Sequence, residues 1–217
     1  FGTLADYQSM VAAANSHGLK VVLDGVFNHV ASDSKYFDRY SRYNAAGTLT
    51  SPGGVGANDG SGACESAASG FRSWFYIPDI GKPGRDGDPN SGPLVYCATS
   101  QTYEAWYGYS SLPKLQANTP AVRTLIWNNG LSSVGPYWTQ QGASGWRFDV
   151  RADVDPGLTN DAANDYWEGF RAAVRNAAVT GKSDTLMLGE EWGDSSAWLL
   201  GNEWDSVMNY RFRSAAM

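Results

Sequence analysis

The hydrophobic pattern at the start of the chain changes from a helical period to that of a strand. Residues 3–15 carry apolar side chains at helical spacing behind a Thr3–Asp6 capping box, and Gly18 follows as a stop signal. The next run, Lys20–Val26, is short, apolar and β-branched, as in strands that are buried on both faces. We therefore predict a helix over Thr3–Asn15 and a strand over Lys20–Val26.

The same alternation resumes in the second half of the chain. Thr119 and Pro120 suit the N-cap and first position of a helix, and residues 161–178 have the period of an amphipathic helix. Short apolar runs predict strands over Gly145–Val150, Thr185–Gly189 and Asp205–Asn209. Strands that alternate with helices indicate an α/β protein with a parallel sheet, either doubly wound or closed into a barrel.

Between these regions, residues 30–112 are rich in Gly, Ser, Asn, Asp and Pro, with scattered aromatic residues and no sustained helical period. We interpret this stretch as an irregular inserted subdomain. The predicted organisation is a barrel segment over residues 1–29, the insert over 30–112, and a second barrel segment over 113–217.

Polar residues at the ends of the predicted strands favour a barrel. Asp24 lies late in the first strand, Arg147 and Asp149 late in the second, and Glu190 at the end of the third. Active sites of TIM barrels take their residues from the C-terminal ends of several strands. A nucleotide-binding doubly wound sheet would have a glycine-rich turn after its first strand, which DGVFNH is not. Without the insert the chain is shorter than the ~200 residues of a complete barrel, so we predict a partial TIM (β/α)8 barrel.

Composition narrows the classes of partner. The chain is 42% hydrophobic and 18% charged, as in globular proteins, and its net charge of −6 argues against a nucleic-acid partner. It contains no apolar run long enough to span a bilayer. Cys64 and Cys97 both fall in the Gly/Ser/Pro-rich stretch, where a disulfide would suit a secreted protein, although two free thiols are the alternative.

Four segments, taken in order, resemble the signature motifs of the α-amylase family of glycoside hydrolases (glycoside hydrolase family 13). They are DGVFNH (24–29), LPKL (112–115), GWRFDVRADV (145–154) and LGEEW (188–192). LPKL, and Asp153 where typical α-amylases have the second residue of a Lys-His pair, are most similar to the neopullulanase, cyclomaltodextrinase and amylopullulanase branch. The resemblance implies strands 3 to 6 of the barrel, with the insert as domain B after the third strand. It also places a third catalytic Asp beyond Met217, so the 217 residues alone are expected to be inactive.

The resemblance also implies roles for individual residues. Asp149 corresponds to the nucleophile and Glu190 to the general acid/base of retaining hydrolysis, which needs two carboxyl groups ~5 Å apart. His29, Arg147, Asp153 and Trp192 correspond to substrate-binding positions, and Asn28 to a ligand of a structural calcium ion. Arg147 lies two residues before Asp149 on a strand and would favour its ionised form, whereas the apolar strand before Glu190 would favour a protonated acid.

Plainer interpretations stay open for the same residues. Arg147 and Asp149 could form a structural ion pair, Glu190 or its neighbour Glu191 could be a solvated turn residue, and His29 could be buried and satisfied by backbone. Asp86, Asp88 and Asn90 could bind a second ion or form a polar turn. Trp74, Trp106 and Tyr107 could stack on glucose rings or pack the insert.

The expected function is that of a secreted, bacterial-type retaining hydrolase. It would cleave α-1,4, and also α-1,6, glucosidic bonds in starch, pullulan or cyclodextrins through a glycosyl-enzyme. One alternative is a non-catalytic binding or transporter-associated homologue, which would normally have lost its carboxylates. The other is a transglycosylase or α-1,6-glucosidase of the same family.

Overall fold

A computed structural model describes residues 2–77, 95–97, 102–150, 154 and 165–217. The α-helices are α1 Leu4–Ser16, α2 Pro120–Ile126, α3 Val134–Gln140, α4 Tyr166–Val174, α5 Ala177–Thr180 and α6 Tyr210–Ala216. The strands are β1 Val22–Gly25, β2 Val95–Tyr96, β3 Thr102–Tyr103, β4 Gly145–Phe148, β5 Leu186–Glu191 and β6 Ser206–Asn209. Single turns of 3-10 helix cover Arg72–Trp74, Trp106–Gly108, Gly130–Ser132 and Ser196–Trp198.

The chain forms two compact units, one of Phe1–Phe27 with Pro120–Met217 and one of Asn28–Thr119. The second unit begins slightly before and ends somewhat after the insert predicted from composition. Its limits follow from backbone hydrogen bonds within it, because Leu115 N–H donates to Asn28 C=O and Val30 N–H donates to Pro113 C=O. Composition changes gradually at both ends of the insert, so it cannot show which residues form these backbone hydrogen bonds.

The first unit contains a four-stranded parallel sheet in the order β1-β4-β5-β6. Helices separate its strands along the chain, as the sequence predicts for part of a (β/α)8 barrel. The Thr3 capping box opens α1 as predicted, with the Thr3 hydroxyl accepting from Asp6 N–H. Helix α2 begins at Pro120, also as predicted.

One face of this sheet packs against helix α4 to form the core of the unit. Trp146 and Phe148 of β4 contact Phe170, and Phe148 also lies 4.4 Å from Trp167 between ring centroids. These side chains are almost fully buried. Burial of four large aromatic side chains contributes roughly 1.5–3 kcal/mol for each of them. Strand alternation therefore leaves the intervening residues of β4, including Arg147, to the opposite face.

The helix predicted over residues 161–178 is shorter than expected in its described part. Helix α4 ends at Val174, and a separate turn, α5, begins at Ala177. Asn176 interrupts the helix because its side chain accepts a hydrogen bond from Ala178 N–H and so caps a new start. The apolar period of the sequence continues through this break and therefore gives no sign of it.

The second unit is irregular, with a two-stranded antiparallel β2-β3 ribbon. A disulfide joins Cys64 and Cys97, whose Cα atoms are 5.4 Å apart. Phe37, Phe75 and Tyr103 form a buried aromatic cluster, with ring centroids 4.9 Å and 4.7 Å from that of Phe37. Aromatic packing and a disulfide thus take the place of regular sheets here. Within the described ranges no helix has the length and apolar character that crossing a bilayer requires.

Candidate active site

Strand register brings four polar side chains to one face of the sheet, those of Asp24, Arg147, Asp149 and Glu190. Asp24 on β1 is the direct neighbour of Arg147 on β4, and Arg147 is the neighbour of Leu188 on β5. Two residues further along, Asp149 and Glu190 fall on the same face because side chains alternate with a period of two. The ladder continues to Asp149, whose N–H donates to Gly25 C=O at 3.2 Å.

Arg147 lies at the centre of this group. Its Nη1 is 2.9 Å from Asp24 Oδ1 and 2.6 Å from Asp149 Oδ1, and its Nη2 is 3.0 Å from Glu190 Oε2. Burial opposes the positive charge, but the Asp24 and Asp149 carboxylates and the charge of Glu190 outweigh it and raise the pKa of Arg147. A planar guanidinium suits this task because its donors diverge in a fixed fork, which a lysine ammonium lacks.

Glu190 is the more enclosed of the two candidate catalytic carboxylates, with 11% of its side chain exposed against 25% for Asp149. Besides Arg147, Val150 N–H donates to Oε2 at 3.2 Å and the Tyr210 hydroxyl donates to Oε1 at 3.3 Å. The prediction of apolar surroundings for Glu190 is therefore wrong. The donors are Arg147 of β4, the Val150 amide just after β4 and the Tyr210 hydroxyl just after β6, and the apolar strand that leads to Glu190 gives no sign of them.

The donor at Val150 depends on an unusual backbone conformation. Val150 has φ +45°, in the left-handed region that β-branched residues rarely adopt. Such a residue costs on the order of 1–3 kcal/mol and persists where the surroundings enforce it, commonly at functional sites. Here the turn after Asp149 directs the Val150 N–H at Glu190.

Glu191, the rival to Glu190, has a different role. Strand β5 runs through both residues, so their side chains leave opposite faces. A Glu191 carboxylate oxygen accepts from Gly193 N–H and closes the turn that follows the strand. Only Glu190 joins the Arg147 group.

Trp192 and Tyr210 form a stacked pair beside Glu190. Their ring centroids are 4.1 Å apart and the planes differ by 7°. Trp192 is 65% exposed, so much of its surface is open to solvent. An exposed indole at this place suits the substrate-binding role that the sequence assigns to Trp192.

His29 and Asn28 are buried in the second unit. His29 is 8% exposed, its ring lies 5.9 Å from that of Trp106 in a stacked arrangement, and its Nδ1 is 3.4 Å from Asn28 Nδ2. The sugar-binding role of His29 and the calcium role of Asn28 stay predictions. In the described part of the chain no three His, Cys, Asp or Glu side chains are grouped as metal ligands would be.

The aromatic residues singled out in the insert divide into two kinds. Trp74 stacks on Tyr36 at 5.2 Å between centroids, and Trp106 stacks on His29 and Tyr109, so both pack their own unit. Tyr107 is 59% exposed. Asp153, together with Asp86, Asp88 and Asn90, lies outside the described residues.

Three participants were not predicted for the site. The sequence marks Asp24 as a polar residue late in its strand but gives it no role in the site. It gives no indication of Tyr210 or the Val150 amide. Asp24 had a signal, since an acidic residue in an apolar strand calls for a partner. The approach of Tyr210 and Val150 to Glu190 depends on strand register and a left-handed turn, which no local pattern encodes.

Chemically, the site pairs two carboxyl groups with one cation. Asp149 and Glu190 each lie within hydrogen-bond range of the same guanidinium, a spacing compatible with the ~5 Å of retaining glycoside hydrolysis. Asp149 is the more exposed of the two, whereas Glu190 has donors at both oxygens.

Comparisons with known proteins identify the family. The family profile described as the catalytic domain of alpha amylase matches residues 1–217. An amylopullulanase of Thermoanaerobacterium thermosulfurigenes is 33% identical over 225 residues, covering 99% of this chain and 10% of that protein. Neopullulanase 2 of Thermoactinomyces vulgaris is 30% identical over 219 residues, covering 100% of this chain and 28% of that protein.

Among solved structures, the debranching enzyme of Nostoc punctiforme in its native form superimposes with a TM-score of 0.62 at 28% identity. The superposition covers 95% of this chain and 32% of the debranching enzyme. The chain thus spans less than a third of the length of each of these three relatives.

Proposed function

The chain belongs to the α-amylase family, matching its catalytic domain throughout, and on that premise we propose that the protein carrying it is a retaining α-glucan hydrolase. The observation that supports this most directly is the single guanidinium of Arg147 shared by the Asp149 and Glu190 carboxylates. The names of the relatives, amylopullulanase and neopullulanase, favour α-glucans such as pullulan and starch as the substrates.

In the proposed reaction, Asp149 attacks the anomeric carbon and Glu190 donates a proton to the departing glycosidic oxygen. A glycosyl-enzyme ester forms at Asp149. Glu190, now ionised, then takes a proton from water, which attacks the same carbon and releases Asp149 and the sugar with its anomeric configuration retained. Arg147 stabilises the negative charge that moves between the two carboxyl groups.

The test uses two substitutions in the protein that carries this chain. Asp149→Asn should abolish turnover while leaving the circular dichroism spectrum and maltooligosaccharide binding in place. Normal turnover by this variant would overturn the assignment of the nucleophile.

Glu190→Gln should reduce hydrolysis of natural glucans far more than that of aryl glycosides with good leaving groups, because such groups leave without a proton. Equal losses on both substrates would exclude Glu190 as the acid. The anomer first released, measured by NMR, tests retention, and an initially inverted product would contradict the mechanism.

The products formed from starch, pullulan and cyclodextrins would show which glucosidic bonds the protein cleaves. We propose cleavage of α-1,4 bonds, and also of α-1,6 bonds. Longer oligosaccharides among the products would indicate a transglycosylase, cleavage of α-1,6 bonds alone would indicate an α-1,6-glucosidase, and binding without turnover would indicate a non-catalytic homologue.

We also propose that the protein is secreted and that Asn28 takes part in binding a structural calcium ion. The Cys64–Cys97 disulfide supports secretion, because disulfides persist in oxidising compartments. Asn28 is 1% exposed, and calcium prefers amide and carboxylate oxygens as ligands. Metal analysis of the purified protein, compared with Asn28→Ala, tests the second proposal.

A further inference from the structure

The Glu190 carboxyl group has a hydroxyl neighbour from outside its own strand. The Tyr210 hydroxyl lies 3.3 Å from Glu190 Oε1, while Arg147 and the Val150 amide both address Oε2. Oε1 would need to face the glycosidic oxygen if Oε2 is occupied by these two donors. Tyr210 therefore contacts Oε1, the oxygen of Glu190 that would donate the proton to the glycosidic oxygen.

The position of the hydroxyl is fixed by two features of Tyr210. Its backbone begins α6 immediately after β6, and β6 pairs with β5 so that Met208 is the direct neighbour of Glu190. Its ring is stacked on Trp192 at 4.1 Å, which restricts rotation of the phenol. Strand pairing fixes the backbone of Tyr210, and ring stacking fixes its side chain.

From this geometry we propose that Tyr210 is a positioning residue for the acid/base Glu190, held in place by the ring of Trp192. The inference rests on the proposed function, because it assumes that Glu190 transfers the proton. Burial and the charge of Glu190 raise the pKa of Tyr210, so the phenol keeps its proton and remains a donor in the working range.

A separation of 3.3 Å is long for a hydroxyl–carboxylate hydrogen bond. Catalytic hydrogen bonds are often long without substrate and shorten in the complex. The exposed ring of Trp192 lies on Tyr210, so the sugar-binding position and the acid are connected through one stacked pair.

Tyr210→Phe tests the proposal, because it removes only the hydroxyl and keeps the ring stack. We expect kcat on a maltooligosaccharide to fall about tenfold with little change in KM, and much less on an aryl glycoside with a good leaving group. A loss confined to kcat and to the poorer leaving group would not follow from a merely structural role.

Tyr137→Phe is the matched control. Tyr137 lies on α3, where its ring contacts Trp138 at 5.3 Å. This variant should keep the wild-type kcat and KM.

Trp192→Ala removes the stack and should produce a similar loss of kcat together with a higher KM. If the ring acts through the hydroxyl, Trp192→Ala combined with Tyr210→Phe should show no further loss of kcat. Additive losses of kcat would overturn the link between the two residues.

The outcomes separate this inference from the proposed function. If Glu190→Gln leaves glucan hydrolysis intact, the proposed function fails. If Glu190→Gln is impaired as expected while Tyr210→Phe keeps the wild-type kcat, only the positioning role of Tyr210 is refuted.

Discussion

Removal of the Arg147 guanidinium is the most direct perturbation of the site. Arg147→Gln deletes the positive charge that contacts Asp24, Asp149 and Glu190, while it keeps a polar side chain of moderate length. A guanidinium and a carboxylate whose charges lie about 5 Å apart attract each other by about 3 kcal/mol at an effective dielectric constant near 20. The Arg147 side chain is 21% exposed, so solvent screens this interaction only in part.

If a free energy of about 3 kcal/mol is lost from the transition state, kcat/KM should fall by roughly 100-fold or more. The assay is hydrolysis of a maltooligosaccharide, with kcat and KM determined separately.

Two further variants make the Arg147 experiment decisive. Arg147→Lys keeps the charge but not the fork, so it should recover only part of the activity. Arg211→Gln is the matched control, because Arg211 pairs with Asp194 at 3.4 Å and both side chains are 68% exposed. It should behave like the wild type. Wild-type kcat/KM in Arg147→Gln would refute the electrostatic account of the site.

Two predictions concern stability. Burial opposes ionisation of Asp205, but the Met187 amide and the Arg171 guanidinium outweigh it and lower the pKa of Asp205. Asp205→Asn should therefore cost about 1 kcal/mol at pH 7, and the difference, measured by urea unfolding, should vanish as the pH falls through the lowered pKa of Asp205 and the wild-type carboxylate takes up its proton. A Cβ at Gly189 would lie 2.4 Å from the buried ring of Trp204, so Gly189→Ala should cost about 1–3 kcal/mol and lower the melting temperature. Gly70→Ala, where the Cβ would meet nothing within 4 Å, should be tolerated, and equal losses for the two glycine variants would contradict the packing argument.

Much of the fold in the first unit could be predicted from local sequence. The Thr3 capping box, the proline that begins α2 and the apolar runs of β1, β4 and β5 are short-range signals, and each formed the expected element. The local sequence pattern predicts helices less well where a polar side chain can form hydrogen bonds with nearby backbone groups. Asn176 ended a helix that its apolar period would have continued.

The sequence by itself determined which residue types stand at the strand ends, because alternation places Arg147 with Asp149 and separates Glu190 from Glu191. Motif order then identified the family and its pair of carboxyl groups. The tertiary structure alone decided how these groups meet. Strand register placed Arg147 between both carboxylates and Asp24, a left-handed turn aimed the Val150 amide, and the pairing of β6 with β5 brought Tyr210 to Glu190. These contacts join residues far apart in the chain, so their distances depend on packing that no local pattern contains.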